Sequence, residues 1–204
     1  MPTKLAAILG LIFGAFTWGV IWYPYRLLND AGIGGALSSL LTYSVPVLLG
    51  IMLYRNKLGS LKRHPRLVLM IALVAGWTNL GYVLAVLSGE VMRVLLLFYM
   101  APLWTVVYSR FLLHERLTRN GMWIMLLSIS GALVMLWQPE LGWPWPAALA
   151  EWIGLSAGMM FALSNVLSRY ATELTVEAKS MAIWLGVLVL SGLPLLLEPD
   201  GLVL

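Results

Sequence analysis

The sequence predicts an all-α, polytopic membrane protein with seven transmembrane helices. Hydrophobic residues make up 61% of the 204 residues and charged residues only 11%, and the mean hydropathy is +0.89. A soluble domain is typically about 45–50% apolar and about 25% charged. Because a bilayer interior offers no water to backbone groups, long apolar runs are predicted to be helices. This composition argues against a secreted disulfide-bonded domain, a disordered regulator and an ordinary cytosolic enzyme.

The sequence offers few of the residues that commonly form catalytic or metal-binding sites. It has no Cys, which removes thiolate catalysis, disulfides and Cys-ligated zinc. Its two histidines, His64 and His114, fall in polar segments between apolar runs. We therefore expect no catalytic residues, no metal site and no cofactor. The net charge of +4 comes from basic residues between apolar runs, which membrane topology explains without a nucleic-acid partner.

Seven stretches are each long enough for a spanning helix, which needs about 20 mainly apolar residues. Gly121 is predicted to be a turn residue at the start of the fifth stretch. The segment 139–149 contains Trp143 and Trp145, and aromatic side chains favour the headgroup level, so it is predicted to be an outer-face linker. The predicted spans are 5–26, 34–54, 67–88, 91–113, 121–138, 150–169 and 180–197.

The Lys and Arg residues predict the orientation of these spans. With the N-terminus in the cytoplasm, eleven of them fall on the inner side, and only Arg26 and Arg93 lie near the outer side. This bias is the positive-inside pattern. We therefore expect an integral protein of the bacterial inner (plasma) membrane with a cytoplasmic N-terminus. The inner residues are Lys4, Arg55, Lys57, Lys62, Arg63, Arg66, Arg110, Arg116, Arg119, Arg169 and Lys179.

A short internal repeat links the first and sixth predicted spans. Trp18 is followed eight residues later by Arg26, and Phe161 is followed eight residues later by Arg169. The two copies lie 143 residues apart and cross the membrane in opposite directions. Inverted repeats of this kind build midplane sites in many secondary transporters. The predicted units are one complete five-helix repeat, a linker, and two helices of an inverted second repeat: 1–138, 139–149 and 150–204.

The most informative stretch of sequence is 93–136. It has a central Ala101-Pro102, then Glu115-Arg116 at the predicted cytoplasmic helix end, then Gly131 in the next span. Together with Trp18-Gly19 in the first span, these residues resemble the EamA domain of the drug/metabolite transporter (DMT) superfamily. The resemblance implies ten helices in two EamA-like halves with a substrate cavity between them. Since three of those helices are missing here, we expect a fragment of a longer protein, or the product of an interrupted gene.

The resemblance and the repeat predict a secondary transporter, in the exporting direction, of a small organic metabolite, amino acid or drug. Its expected partners are that solute and the membrane lipids. The alternative is a truncated, non-transporting membrane protein that needs a homodimer partner or a missing C-terminal half to complete its fold. A membrane enzyme is not expected because no His lies in a span, and a retinal receptor is not expected because the last span has no Lys.

Arg93 and Glu90 are predicted to bind substrate at the outer start of the fourth span. They are three residues apart, so they share a helix face and can pair with each other. A charge at the bilayer centre costs at least about 2.5–3.5 kcal/mol, and such charges often mark a pathway. Arg93 is predicted to meet an anionic group of the substrate, which favours an organic anion or an amino acid. The alternative is that both side chains extend to the outer interface.

Four other side chains are predicted to line the substrate cavity. Trp18 is the deepest aromatic residue of its face in the first span, and Trp104 continues a helical stripe that begins at Arg93. Asn79 and Tyr82 lie mid-membrane in the third span, where a buried amide needs a neighbouring helix or a cavity as partner. The alternative for these residues is packing or hydrogen bonding between helices.

Pro102 and Glu115 are predicted to have structural or gating roles. Pro102 lacks a backbone donor and is expected to kink the fourth span. Glu115 lies at the cytoplasmic end of that span, where its expected partners are Arg110, Arg116 and Arg119.

Two pairs of small residues predict close helix packing. Gly10 and Gly14 form one pair, and Gly154 and Gly158 form the other. Small residues four apart let two helices approach closely in a membrane, so both pairs are predicted to be packing contacts.

Overall fold

A computed structural model describes residues 2–137 and 145–197, and all regular secondary structure in these ranges is helical. A short 3₁₀ segment, Arg55–Lys57, extends α3, and a π-helical segment, Ser109–Leu113, extends α7. The α-helices are α1 Pro2–Val20, α2 Trp22–Asp30, α3 Gly35–Tyr54, α4 Gly59–Arg63, α5 Pro65–Ser88, α6 Val91–Phe98, α7 Ala101–Tyr108, α8 Arg119–Leu136, α9 Leu149–Tyr170 and α10 Val176–Leu197.

Six of the seven predicted spans are long and apolar enough in the structure to cross a membrane, so the chain is an integral membrane protein. The remaining one is α8, which is apolar but shorter, and a seventh span stays a prediction. Most of the predicted linker, including Trp143, lies outside the described residues. The six spans are Ile8–Asp30, Gly35–Lys57, Pro65–Ser88, Val91–Leu113, Leu149–Tyr170 and Val176–Leu196.

The central helix of the bundle is α5, which packs against both α9 and α10, while α3 packs against α10 and also contacts α5. Glycines permit these close approaches. A Cβ added at Gly186 would collide with the backbone of Ala72, and one added at Gly76 would collide with Gly186. Small residues at a helix crossing bring the two backbones together, and this contact fixes the position of the middle of α5.

The fourth span is interrupted, as its proline predicts. The helical hydrogen bonds of α6 end at Tyr99 and Met100, and α7 begins at Ala101, with Pro102 in its first turn. A proline is well tolerated there because the backbone N–H groups of the first turn have no acceptor within the helix, so the N–H that proline lacks is not needed. Both halves of the span still pack against α9.

Polar and charged side chains join the helix ends on one side of the bundle, here called the basic end (residues 55–66, 113–119 and 169–179). The pairs and their N–O distances are Lys57–Glu177 at 2.6 Å, His64–Glu173 at 3.0 Å and Arg169–Glu115 at 3.2 Å. The prediction that Glu115 pairs with an Arg of its own loop was wrong. The chain turns at His114, which has a left-handed backbone (φ 57°), and Glu115 then lies beside α9.

The first helix contributes little to the packed bundle. Large apolar side chains of α1 are exposed along its length, including Leu9, Phe13 and Phe16. A Cβ added at Gly10 or Gly14 would have no described atom beyond its own helix within 4 Å, so the packing prediction for this pair was wrong within the described chain. The prediction for the other pair is confirmed, because Gly154 packs on Val94 and Gly158 on Phe98.

The glycine contact between α5 and α10 predicts a difference between two matched substitutions. Gly186→Ala places a methyl group against the backbone of α5, and overpacking of this kind costs about 1–3 kcal/mol. Gly14→Ala places the same group in open space and improves helix propensity. We expect a lower melting temperature in detergent for Gly186→Ala and an unchanged or slightly higher one for Gly14→Ala. Equal melting temperatures for the two variants would contradict this packing.

Candidate functional site

A small cavity lies among five helices, level with the middle of α5. Its volume is about 100 Å³, below the about 300–1,000 Å³ of pockets that hold drug-sized ligands. Asn165 is exposed, so the cavity is open beside this residue. The lining residues come from α1, α3, α5, α9 and α10: Trp18, Tyr43, Ala75, Thr78, Asn79, Phe161, Ser164, Asn165, Ile183 and Val187.

Asn79 supplies the central hydrogen-bonding group of this cavity. Its side chain is buried, with 4% of the residue exposed, and Nδ2 donates to the hydroxyl oxygen of Tyr43 at 3.3 Å. This bond ties α5 to α3. Asn79 Oδ1 has no hydrogen-bond partner among the described residues. An unsatisfied buried acceptor costs about 1–3 kcal/mol, and Asn79 Oδ1 is such an acceptor deep in an apolar span.

An aromatic cluster forms one wall of the cavity and separates it from the end of the bundle opposite the basic end. Trp18 contacts Phe161 with ring centroids 6.0 Å apart and Tyr82 with centroids 5.7 Å apart. Phe98 lies 5.0 Å from Tyr82 and 5.5 Å from Phe161. Edge-to-face and tilted contacts at these distances are favourable beyond simple burial. The four rings therefore form a continuous aromatic layer drawn from α1, α5, α6 and α9.

A buried ion pair lies beyond this layer, at the end here called the far end (residues 26–35, 88–91 and 147–151). Arg93 Nε donates to Glu151 Oε1 at 2.7 Å, and Arg93 Nη2 donates to Glu151 Oε2 at 3.1 Å. The backbone N–H of Ala147 also donates to Glu151 Oε2, at 2.9 Å. Both side chains are less than a tenth exposed. Such a bidentate pair is geometrically specific, and it joins α6 to α9.

Hydrophobic residues close the bundle on both sides of the cavity. Toward the far end, the core includes Tyr25, Val83, Val86 and Val94 together with the aromatic layer. Toward the basic end, a second core is formed by Ile71, Leu167, Ala171, Leu174 and Ala182. The cavity thus has an apolar core on each side of it along the bundle, and a solute crossing the bundle would have to pass both.

The structure brings together three of the six residues that the sequence predicts for substrate binding. Trp18 and Asn79 line the cavity, and Tyr82 belongs to the aromatic layer against Trp18. Trp104 does not line this cavity, and its buried Nε1 has no hydrogen-bond partner among the described residues. The stripe that suggested Trp104 assumes a continuous helix, whereas the break at Tyr99 and Met100 changes its register.

The two predicted charges at the far end do not pair in the way that the sequence suggested. Arg93 pairs with Glu151 of α9. Glu90 is the residue that directly precedes α6, and its side chain is exposed. Neither Arg93 nor Glu90 lines the cavity. Glu151 was missed in the sequence, although an acid in the first turn of a predicted span is a detectable signal. Tyr43 was missed because a single Tyr in an apolar span has no distinguishing pattern.

A second cavity, of about 200 Å³, lies between the fourth span and α8 and is mostly apolar. The one serine in its lining, Ser128, already donates its hydroxyl hydrogen to the carbonyl oxygen of Ile124. Pro102 also lines this cavity. Lacking the buried hydrogen-bonding group of the Asn79 cavity, this cavity is the weaker candidate for solute binding.

Comparison with known proteins gives one match. Residues 5–137, more than half of the chain, match the family described as the EamA-like transporter family. No curated protein and no solved structure matches the chain.

The buried ion pair predicts a non-additive response to mutation. Arg93→Leu or Glu151→Leu alone leaves an unpaired buried charge, which costs about 3–5 kcal/mol. The double variant removes both charges, so we expect it to be more stable than either single variant when melting is followed in detergent. Lys57→Ala, which breaks the exposed Lys57–Glu177 pair, is the control and should leave the melting temperature unchanged. If the double variant lost as much stability as the two single variants together, this result would contradict a direct ion pair between Arg93 and Glu151.

Proposed function

The chain belongs to the EamA-like transporter family, and we propose that it moves a small organic solute through the cavity around Asn79. The family consists of DMT-type membrane transporters, and the six apolar spans fit that assignment. The observation that carries the proposal is the position of the cavity. It lies midway along apolar spans, and its buried Asn79 Oδ1 has no described hydrogen-bond partner. Polar groups inside a membrane are expensive, and they usually mark a pathway or a binding site.

Trp18, Asn79 and Tyr82 are the proposed substrate-binding group, together with Tyr43 and Ser164, which line the same cavity. Trp18 and Asn79 offer an aromatic face and an amide at the same cavity. Tyr82 supports Trp18 edge-on at 5.7 Å. Together these side chains provide the mostly apolar lining with few polar anchors that small-molecule sites commonly have.

Arg93 and Glu151 are proposed to hold the far end closed rather than to bind the solute. Their bidentate pair spans α6 and α9, and the aromatic layer separates it from the cavity. At the basic end, Glu115 and Arg169 join the other ends of the same two spans. Opening one pair while the other stays closed would give alternating access, with Pro102 as the proposed flexible point between the halves of the fourth span.

The inverted repeat is proposed as the framework of this site. Trp18 and Phe161, which correspond at the 143-residue offset, contact each other across the cavity wall. The family match ends at residue 137, which supports units at 1–138 and 150–204. In many transporters the substrate site lies near the membrane midplane at the interface of inverted repeats, and the proposed repeat would place this contact at such an interface.

Export, the bacterial inner membrane and a cytoplasmic N-terminus are proposed from the sequence. The basic residues gather at one end of the bundle, where the chain also forms its exposed ion pairs. That end is the proposed cytoplasmic side. At the far end, Arg26 Nη2 donates to Gly89 O at 3.2 Å. Arg26 is one of the two basic residues predicted for the outer side.

A second candidate is a non-transporting protein that needs a partner, either a second copy or a separate C-terminal half. The exposed face of α1 around Gly10 and Gly14 supports it, because these glycines have no neighbouring helix within 4 Å among the described residues. Transport in proteoliposomes by the purified chain at a density that keeps it monomeric would exclude this candidate. Transport that appears only after the partner is supplied would favour it.

The proposed site predicts that transport depends on Trp18 and Asn79. We expect Trp18→Ala and Asn79→Leu each to lower the initial uptake rate into inverted vesicles at least about tenfold, the effect of about 1.4 kcal/mol. Trp123→Ala removes an exposed tryptophan of α8 and serves as the matched control, with an unchanged rate. Equal losses for Trp18→Ala and Trp123→Ala would contradict the assignment of the cavity.

A further inference from the structure

A groove between the fourth span and α8 runs along the bundle to its basic end. Its apolar part is the cavity of about 200 Å³ that Pro102 lines, and next to it lies a cavity of about 450 Å³. Val106 of the fourth span lines both cavities. On α8, Gly121 lines the first and its neighbour Met122 lines the second. The two cavities therefore lie end to end and form one groove.

The apolar part of the groove is long and opens toward the lipid around the bundle. On α8 it extends from Gly121 to Ala132, a distance of roughly 17 Å at the rise of an α-helix. Pro102 and Ile124 line it and are exposed, so a hydrocarbon chain can enter from the side. Because its lining is mostly apolar, this part of the groove suits an acyl chain better than a polar molecule.

Two arginines line the other part of the groove. Arg110 lies in the π-helical segment that ends the fourth span, and Arg116 lies in the turn before α8. Both are exposed, and neither forms an ion pair with a described residue. Glu115, an acid in the same lining, accepts a hydrogen bond from Arg169 Nη1 at 3.2 Å. The lining thus keeps a positive excess, and guanidinium groups match the geometry of phosphate oxygens.

We infer that this groove binds one anionic phospholipid of the surrounding membrane. The phosphate lies against Arg110 and Arg116, and one acyl chain lies between the fourth span and α8. Positive charge at one end and apolar lining along the rest complement the two parts of such a lipid. The groove shares no lining residue with the cavity around Asn79. The inference therefore goes beyond the proposed function and does not rest on it.

Lipid retention by the purified full chain in a neutral detergent tests the inference. Dioctanoyl phosphatidylglycerol is the anionic probe, and dioctanoyl phosphatidylcholine has the same acyl chains without a net charge. We expect native mass spectra to show one phosphatidylglycerol per chain, with a Kd at least about tenfold below that of phosphatidylcholine. Glycerol phosphate, which has no acyl chain, should not bind at the same concentration. Equal retention of the two lipids, no retained lipid, or equally tight binding of glycerol phosphate would overturn the inference.

Two double variants with the same loss of charge locate the headgroup. Arg110→Gln with Arg116→Gln should raise the Kd for phosphatidylglycerol at least about tenfold, because basic residues at a membrane surface attract anionic lipids. Arg55→Gln with Lys62→Gln removes two exposed charges of the basic end that line neither cavity, and it should leave this Kd unchanged. Equal losses in both double variants would show attraction by the general charge of the basic end and would overturn the site.

A substitution at the junction of the two cavities locates the acyl chain. Val106→Trp fills the groove and should weaken binding of phosphatidylglycerol, whereas Leu127→Trp, on the exposed face of α8, should not. If Val106→Trp fails to fold, phosphatidylglycerol with a photoreactive acyl chain decides. We expect it to label the groove residues Met125 and Ile129 in preference to Leu127. Even labelling around α8 would overturn the placement of the chain.

Discussion

Water is absent from the interior of a bilayer, and the rest of this structure follows from that constraint. Backbone groups must bond within their own segment, so the apolar runs are helices. Each side-chain polar group inside the bundle must also find a partner in the protein. The Arg93–Glu151 pair meets this demand completely, with a backbone N–H as additional donor. Asn79 meets it only in half, and the hydroxyls of Tyr82 and Ser191 also have no partner among the described residues.

The helices that carry these groups are positioned by glycine. Close contact of α5 with α10 at Gly76 and Gly186 holds the middle of α5 in the bundle, and Gly158 seats α9 against Phe98. The same packing brings Trp18 and Phe161 to one wall of the cavity. Protein interiors are close-packed and contain few cavities. A cavity between such tight helix contacts is therefore an unusual feature of the bundle. Apolar cores lie on both sides of it along the bundle.

Much of this architecture could be predicted from the sequence, because its signals are local. Apolar runs predict six spans that the structure contains, Pro102 predicts the interruption of the fourth span, and the spacing of Gly154 and Gly158 predicts a packed face. Trp18 and Asn79 stand out as an aromatic and an amide deep within apolar segments. The errors arise where a partner is distant in sequence: Arg93 pairs with Glu151 and Glu115 with Arg169. Helical spacing within one segment cannot identify a partner on another helix, and Gly10 and Gly14 show that small-residue spacing alone does not establish a packed neighbour.

The central claim is that the cavity beside Asn79 is reached by water and solute, and thiol labelling tests it most directly. The chain has no cysteine, so one introduced residue gives an unambiguous signal. Asn165→Cys places a thiol at the open side of the cavity, and Ser130→Cys places one on the apolar face of α8. Only a thiolate reacts readily, and it forms where water is present. The account predicts rapid labelling of Asn165→Cys by a small hydrophilic thiol reagent, slowed by bound solute, and slow labelling of Ser130→Cys. Equal, slow labelling at both positions would contradict it.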